Sequence, residues 1–524
     1  MTQRADLLFL NARVLTQDEH NPECTQLAIA GNRILAAGND LHAFHEPSTR
    51  VVDVRGSAIV PGFQDAHLHF LGGGSNLLSI PIHLANSRET FSQLITKQAE
   101  QTPDGHWITG GGWDVRHFPG RALPQRSWLD YGSAKHPILL HQYDGHAAVC
   151  NSRALELAGI SAATPDPPGG SIDRDEHGEP TGVLRDAAMS LVTRIIPPMD
   201  EAAMIQAIET AQDHLLAHGI TAGADMHFEW DQILFLEKMA KQGRLKIRLA
   251  VYAPVLAWDR IKNAVENGLY QDDWFQFAGL KTFSDGSLGS LTALMLEAYD
   301  SNAKKVGLRD KDWLDPERLA HIFIEADALG VQHAVHAIGD RANREVLDLF
   351  QQVVSANGSR DRRLRIEHAQ HIHPDDLARF AELGAIASIQ PSHIEADIPI
   401  LEQELPDRQN RAYPFHSLLR RNVTLAMGSD WPVVAPDPLR SIHAAIHRFG
   451  WQQYEGLDLA AALCAHTHGA ALSTFRESII GKLAPGMLAD FVILDPRFLK
   501  MDQLDSADAT FIQDVYVNGK STRT

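Results

Sequence analysis

Short apolar runs recur along the middle of this chain, at 58–60, 138–141, 221–225, 247–252, 277–283, 332–336, 365–368, 386–390 and 423–429, with helix-period segments between most of them. Strands of this kind, joined through helices, pack as repeated βα units around a parallel sheet. Their number is close to a complete (β/α)8 set. The predicted fold class is therefore α/β, with a TIM barrel over 59–478. The segment within about 71–220 is long for one unit and carries a Pro- and Gly-rich stretch at 164–170. Part of it is expected to be an insertion over the barrel mouth.

Both ends of the chain read differently. Residues 6–15, 26–37 and 51–54 alternate in the strand period, with Gly31-Asn32 as a hairpin turn, and 489–495 and 512–517 behave alike. Residues 1–58 plus 479–524 are expected to form one small β-sandwich domain. At 524 residues the chain exceeds what one compact core usually holds, which suits a large domain with a smaller companion.

Composition narrows the function classes. A net charge of -19 without a Lys/Arg cluster argues against a nucleic-acid partner, and no stretch approaches a membrane span. Cys24, Cys150 and Cys464 are isolated, as in a reducing compartment, so a cytoplasmic location is the expectation. The 27 His residues raise the expectation of metal.

Six residues of metal-ligating type sit in order at the ends of these apolar runs: His67, His69, Lys281, His336, His368 and Asp430. His67 and His69 are two apart in Phe63-Gln64-Asp65-Ala66-His67-Leu68-His69, so in an extended chain both imidazoles face one ion. Lys281 lies among apolar neighbours, where an ammonium is costly unless paired or altered. Such a lysine can react with carbon dioxide to give a carbamate able to bridge two metals; otherwise it snorkels at a strand end. His336 and His368 each close a strand, whereas His333 falls on the opposite face and reads as structural. Asp430 follows 423–429; it can bind metal and relay a proton, or cap the next helix. At the carboxyl ends of different barrel strands these six would converge on one face.

The motif series resembles the amidohydrolase superfamily, and more closely its YtcJ-like, amidohydrolase 3 type branch. The resemblance runs over essentially the whole length. It includes Val60-Pro61-Gly62-Phe63 with the His-x-His pair, Gly111-Gly112-Trp113-Asp114, Asp144-Gly145-His146-Ala147, Gly169-Gly170-Ser171-Ile172 and Pro180-Thr181-Gly182. It continues through 281–290, His336-Ala337-Ile338-Gly339-Asp340, Ile366-Glu367-His368-Ala369-Gln370 and Gly428-Ser429-Asp430. It implies a metal-dependent hydrolase acting on carbon–nitrogen bonds other than peptide bonds, with zinc or another divalent metal, one or two ions. His67, His69, His336 and His368 are then the metal ligands, Asp430 a further ligand and the acid/base, and Lys281 the carboxylated bridge. Where the family commonly has Arg after the loop at 285–290, this chain has Leu291, which removes a handle for an anionic or carbonyl group.

The expected chemistry is attack by a metal-activated hydroxide, since a divalent cation lowers the pKa of water from about 15.7 toward 7. Trp113 and Trp431 are expected as apolar walls of a small-molecule site, and His146, Asp285, His371 and His393 as polar contacts to substrate. A homodimer is a reasonable assembly. Two other functions fit less of the pattern. A mononuclear deaminase would use His67, His69, His336 and Asp430, with Asp340 in place of the usual Glu. A non-catalytic regulatory protein on the same scaffold would be expected to lose ligands, and none is missing.

Overall fold

Eight parallel strands follow one another in chain order around one sheet: β1 (Phe63–Leu68), β2 (Ile220–Met226), β3 (Arg248–Pro254), β4 (Phe275–Phe283), β5 (Gln332–Ala337), β6 (Arg365–His368), β7 (Ile386–Ile389) and β8 (Leu425–Met427). The computed structural model describes residues 4–142, 147–167, 170–226, 229–301 and 304–523. Every residue of β1, β2, β5, β6, β7 and β8 is buried, as expected where helices cover a parallel sheet. Intervening helices include Trp230–Lys241, Pro316–Ala328, Asp340–Asn357 and Pro438–His447. The ring closes at its exit end. Leu68 bridges Trp431, the Asp430 amide donates to the His67 carbonyl at 2.7 Å, and the His69 amide donates to the Trp431 carbonyl at 2.8 Å. The seam of the barrel is thus made by the residues flanking the His-x-His pair and Asp430.

The chain ends build two further sheets. One orders Arg33–Gly38, Gln26–Ala30, Leu7–Leu10 and Arg50–Asp53; the other orders Lys520–Ser521, Ile512–Val517, Phe491–Leu494, Ala58–Pro61, Arg13–Leu15 and Glu23–Cys24. Phe9 and Ile29 of the first share a core with Val14, Ile59, Phe491 and Tyr516 of the second. The rings of Phe491 and Tyr516 stack at 4.5 Å, and Phe9 meets both edge-on. Such mixed packing makes the pair of sheets a sandwich.

Two expectations need correction. The run at 58–60 is not a barrel strand: Ala58–Pro61 pairs antiparallel with Phe491–Leu494 in the terminal sheet. The chain changes partners immediately afterwards, since the Gly62 amide donates to Asp490 and the Phe63 amide to Gly219. A Cβ on Gly62 would lie 2.2 Å from the Thr221 hydroxyl, so only glycine passes this crossing. The run at 138–141 also lies outside the barrel. Ile138–Gln142 belongs to a five-stranded sheet with Ile108–Trp113, Ala147–Cys150, Pro180–Asp186 and Gly170–Arg174. An apolar run reports burial but not which sheet buries it.

That sheet is the frame of a separate compact unit, Leu71–Ala211; the rest of the chain forms the other. Ile138 and Leu140 face one apolar cluster with Phe91, Trp113 and Trp128, while Leu139 faces another with Ile172 and Leu184. The period-two alternation buries both faces. No helix among the described residues is long and apolar enough to cross a membrane.

Candidate metal centre

The extended backbone of β1 continues through His69, and both imidazoles turn toward Asp430. His67 Nε2 lies 3.4 Å and His69 Nε2 3.2 Å from Asp430 Oδ1. Each ring is held at its other nitrogen: His67 Nδ1 meets Glu367 Oε2 at 2.7 Å, and His69 Nδ1 meets the Met226 carbonyl at 2.8 Å. A carbonyl only accepts. So does ionised Glu367, whose ionisation burial opposes but the Arg365 guanidinium restores, holding it below the usual carboxylate range. Both Nδ1 atoms therefore donate, and in the neutral form each ring presents its Nε2 lone pair to a carboxylate oxygen. Three acceptors facing each other this closely call for a cation between them.

His368 and His336 complete the ring of imidazoles. His368 leaves β6 with φ +71°, in the left-handed region that His tolerates better than most residues. Its ring lies 5.0 Å from that of His67 and 4.5 Å from that of His336, and its Nδ1 is buried without a hydrogen-bond partner. Ligand atoms of His67, His368 and Asp430 all lie within 4.8 Å of one another. His336 Nε2 sits 3.1 Å from the Gly286 carbonyl. Burial lowers the pKa of His67, pushes that of His336 down to about 3 and holds that of His368 well below its ordinary value. Asp430 is opposed by its own burial, yet the surrounding histidines, His67 foremost, keep it below the carboxylate range. Imidazoles whose protonation burial opposes, gathered around an ionised carboxylate, are a divalent-cation donor set.

Lys281 points into the same group from β4. Its Nζ is buried without a hydrogen-bond partner, 3.9 Å over the Phe283 ring, and burial pushes the ammonium down to about 8. Asp430 is not a helix cap: Asp437 takes that part for Pro438–His447. His333 hydrogen-bonds the Phe323 carbonyl and stacks on the Phe323 ring, away from the centre. Asp340, the weaker acid of the deaminase alternative, pairs with Arg411 at 2.9 Å and accepts the Leu296 amide.

The expected substrate contacts divide. His393 stacks parallel to His368 at 6.2 Å with Nε2 3.3 Å from the Ser429 carbonyl, and Trp431 follows Asp430 with its ring stacked on His214 at 5.6 Å. These two stand beside the centre. Asp285 lies at the edge of the centre, its Oδ1 3.6 Å from His336 Nε2, and its carboxylate also accepts the amides of Leu294, Ile338 and Gly339. His371 is buried, with Nδ1 3.2 Å from the Ile338 carbonyl and Nε2 unpartnered. Trp113 is buried in the core of the 71–211 unit and donates its indole N–H to the Leu140 carbonyl at 2.7 Å. His146 lies outside the described residues. Leu291 occupies a tight turn with φ +54°, its amide donating to the Leu288 carbonyl.

The sequence profile described as "Amidohydrolase family" matches residues 50–523. The chain belongs to the amidohydrolase family. Membership makes it a hydrolase. Among amidohydrolases and their relatives it is 36% identical to Protein LONG AFTER FAR-RED 3 of Arabidopsis thaliana, over 98% of this chain and 91% of that one. It is 30% identical to the putative amidohydrolase YtcJ of Bacillus subtilis, over 91% of each chain. It is 26% identical to the N-substituted formamide deformylase of Arthrobacter pascens, over 94% of each. A crystal structure of a metal-dependent hydrolase from Pyrococcus furiosus superposes with a TM-score of 0.80 at 30% identity, covering 94% of this chain and 99% of that one.

Two carboxylates at this amidohydrolase centre escaped the reading of the sequence. Glu367 reaches His67 from the far side of the barrel, and Asp65 binds Ser429 from within the His-x-His strand. Their partners lie 300 and 364 positions away, a pairing that spacing does not encode. The one available signal was an acidic residue inside each strand segment, which needs a partner once the strand is buried.

Proposed function

We propose that this amidohydrolase cleaves a carbon–nitrogen bond other than a peptide bond in a small molecule of amide, N-substituted formamide, lactam or carbamate type. The observation that carries the reading is the pair of imidazole Nε2 atoms aimed at one oxygen of Asp430 with both Nδ1 atoms committed elsewhere. His67, His69, His336, His368 and Asp430 would hold a divalent cation, zinc in the simplest case, and a carbamate on Lys281 would admit a second. When bound, the cation supplies a nucleophile at neutral pH and polarises the scissile carbonyl.

The chain's own residues do the rest. Asp430, held ionised at the centre, accepts the proton of the attacking water at its carboxylate and returns it to the leaving nitrogen. His393 and Trp431 flank this carboxylate and orient the substrate. The Arthrobacter relative, named for its action on N-substituted formamides, supports the choice of bond.

Metal analysis coupled to a panel of amides, formamides, lactams, carbamates and aminated heterocycles tests the proposal on the wild type and on Asp430→Asn. The variant should keep most of its metal and lose about 10²–10⁴-fold in turnover. Equal turnover in the two proteins removes Asp430 from the mechanism, and exclusive turnover of aminated heterocycles replaces the proposed bond class by deamination.

A further inference from the structure

We infer that Glu367 is a positioning residue for His67, setting the ring's tautomer and direction from across the barrel. The inference rests on the reading of His67 as a metal ligand. Glu367 and Arg365 are both fully buried inside β6. Glu367 Oε2 accepts from His67 Nδ1 at 2.7 Å, and Arg365 forks the same carboxylate at 2.8 Å to Oε1 and 3.1 Å to Oε2. Arg365 is itself fixed. It donates to the Ala66 carbonyl at 2.6 Å, the Tyr252 hydroxyl at 3.1 Å and Ser473 at 3.2 Å, and Tyr252 donates onward to Gln332 at 2.6 Å.

Three consequences follow from this geometry. The carboxylate is acceptor-only, so His67 carries its proton on Nδ1 and keeps a lone pair on Nε2, the atom facing Asp430. A flipped ring would lose the 2.7 Å bond inside the buried barrel interior, leaving both groups desolvated without each other. The contact of Arg365 with Ala66 anchors the backbone next to His67 as well, so ring and strand are held by one guanidinium–carboxylate unit. Carboxylate partners of ligating histidines have this effect on metal sites in general, and their loss costs about 10–100-fold in metal affinity.

The competing account is that Glu367 serves only as countercharge to Arg365. Two variants separate the accounts. Arg365→Met/Glu367→Met removes both charges together, an exchange that buried ion pairs often tolerate, whereas removing one strands the other. Glu367→Asp keeps the countercharge but draws the carboxylate back by one methylene from His67. Metal-stripped protein is titrated with zinc against a chromophoric chelator, and thermal unfolding is recorded without metal. We expect both variants to unfold close to the wild type and to bind zinc about 10–100-fold more weakly. If the double variant does not fold, Glu367→Asp decides. Wild-type zinc affinity in the folded variants overturns the inference. Failure of the metal reading itself looks different: the wild type would take up no zinc, or its zinc would be indifferent to His368→Ala.

Discussion

Asp65 and Ser429 are joined twice, the Ser429 amide donating to Oδ1 at 2.9 Å and its hydroxyl to Oδ2 at 2.5 Å. Asp65 Oδ1 also accepts the His67 amide at 3.1 Å, and the Ser429 hydroxyl oxygen accepts the Trp431 amide at 3.0 Å. Asp430 is thereby held between two fixed neighbours with φ +62°. A left-handed non-glycine backbone persists only where its surroundings dictate it, and here they are the other half of the centre.

Ser429→Ala removes the hydroxyl from both of its bonds while leaving the donor set complete. Metal content should stay near that of the wild type, and turnover should fall about 10–100-fold because Asp430 is displaced from its productive position. The kinetic constants of the best panel substrate, beside elemental analysis, check this; unchanged kcat would mean that the clamp does not position Asp430.

Gly428→Ala attacks the same clamp by volume. A Cβ there would stand 2.5 Å from the His67 amide nitrogen and 2.7 Å from Asp65 Oδ1. The strands must part, at a cost of about 1–3 kcal/mol in urea unfolding. Metal binding should weaken with it, since the displaced atoms belong to the His-x-His strand.

Lys281→Met tests what the buried amine is for. A buried ammonium without a hydrogen-bond partner opposes folding through its desolvation, so the variant should melt at or above the wild-type temperature. If the lysine becomes a carbamate bridge, metal per chain should also fall from two to one. A variant that melts several degrees lower would show that the amine has a structural partner.

Acid stability follows from histidines away from the centre. Burial pushes His333 and His466 each down to about 4 in the folded chain, against about 6.5 when unfolded. Between those values the unfolded state binds more protons, so stability must drop as pH falls from about 6.5 toward 4, by on the order of 2–3 kcal/mol per residue. Urea midpoints measured at pH 7.5 and pH 5 on metal-free protein and on His333→Gln give the comparison; the variant should lose less. A pH-independent midpoint refutes the assignment.

The candidate ligands could be picked out along the chain because each abuts an apolar run, and parallel barrel strands deliver their exit ends to one face. What holds those ligands could not. Glu367 lies in the Ile366-Glu367-His368 motif, but its role depends on His67, a residue on a strand that is not its neighbour. β1 itself was hidden because Pro61-Gly62 separates it from the more apolar run at 58–60, which belongs to the terminal sheet. Trp113 shows the converse: its motif marks family membership, while its indole serves a core of its own unit.

The pairing of Ala58–Pro61 with Phe491–Leu494 has a consequence for biosynthesis. A ribosome delivers the first of these strands early and the second only after more than four hundred further residues, so the edge of Ala58–Pro61 that does not face Arg13–Leu15 stays unpaired through most of translation. β1 continues directly from that edge and carries His67. The nascent chain therefore cannot complete the terminal sheet beside the strand that carries His67 until synthesis is nearly over. Chains aborted before Phe491 would expose an open strand edge, the kind of surface that chaperones and proteases recognise.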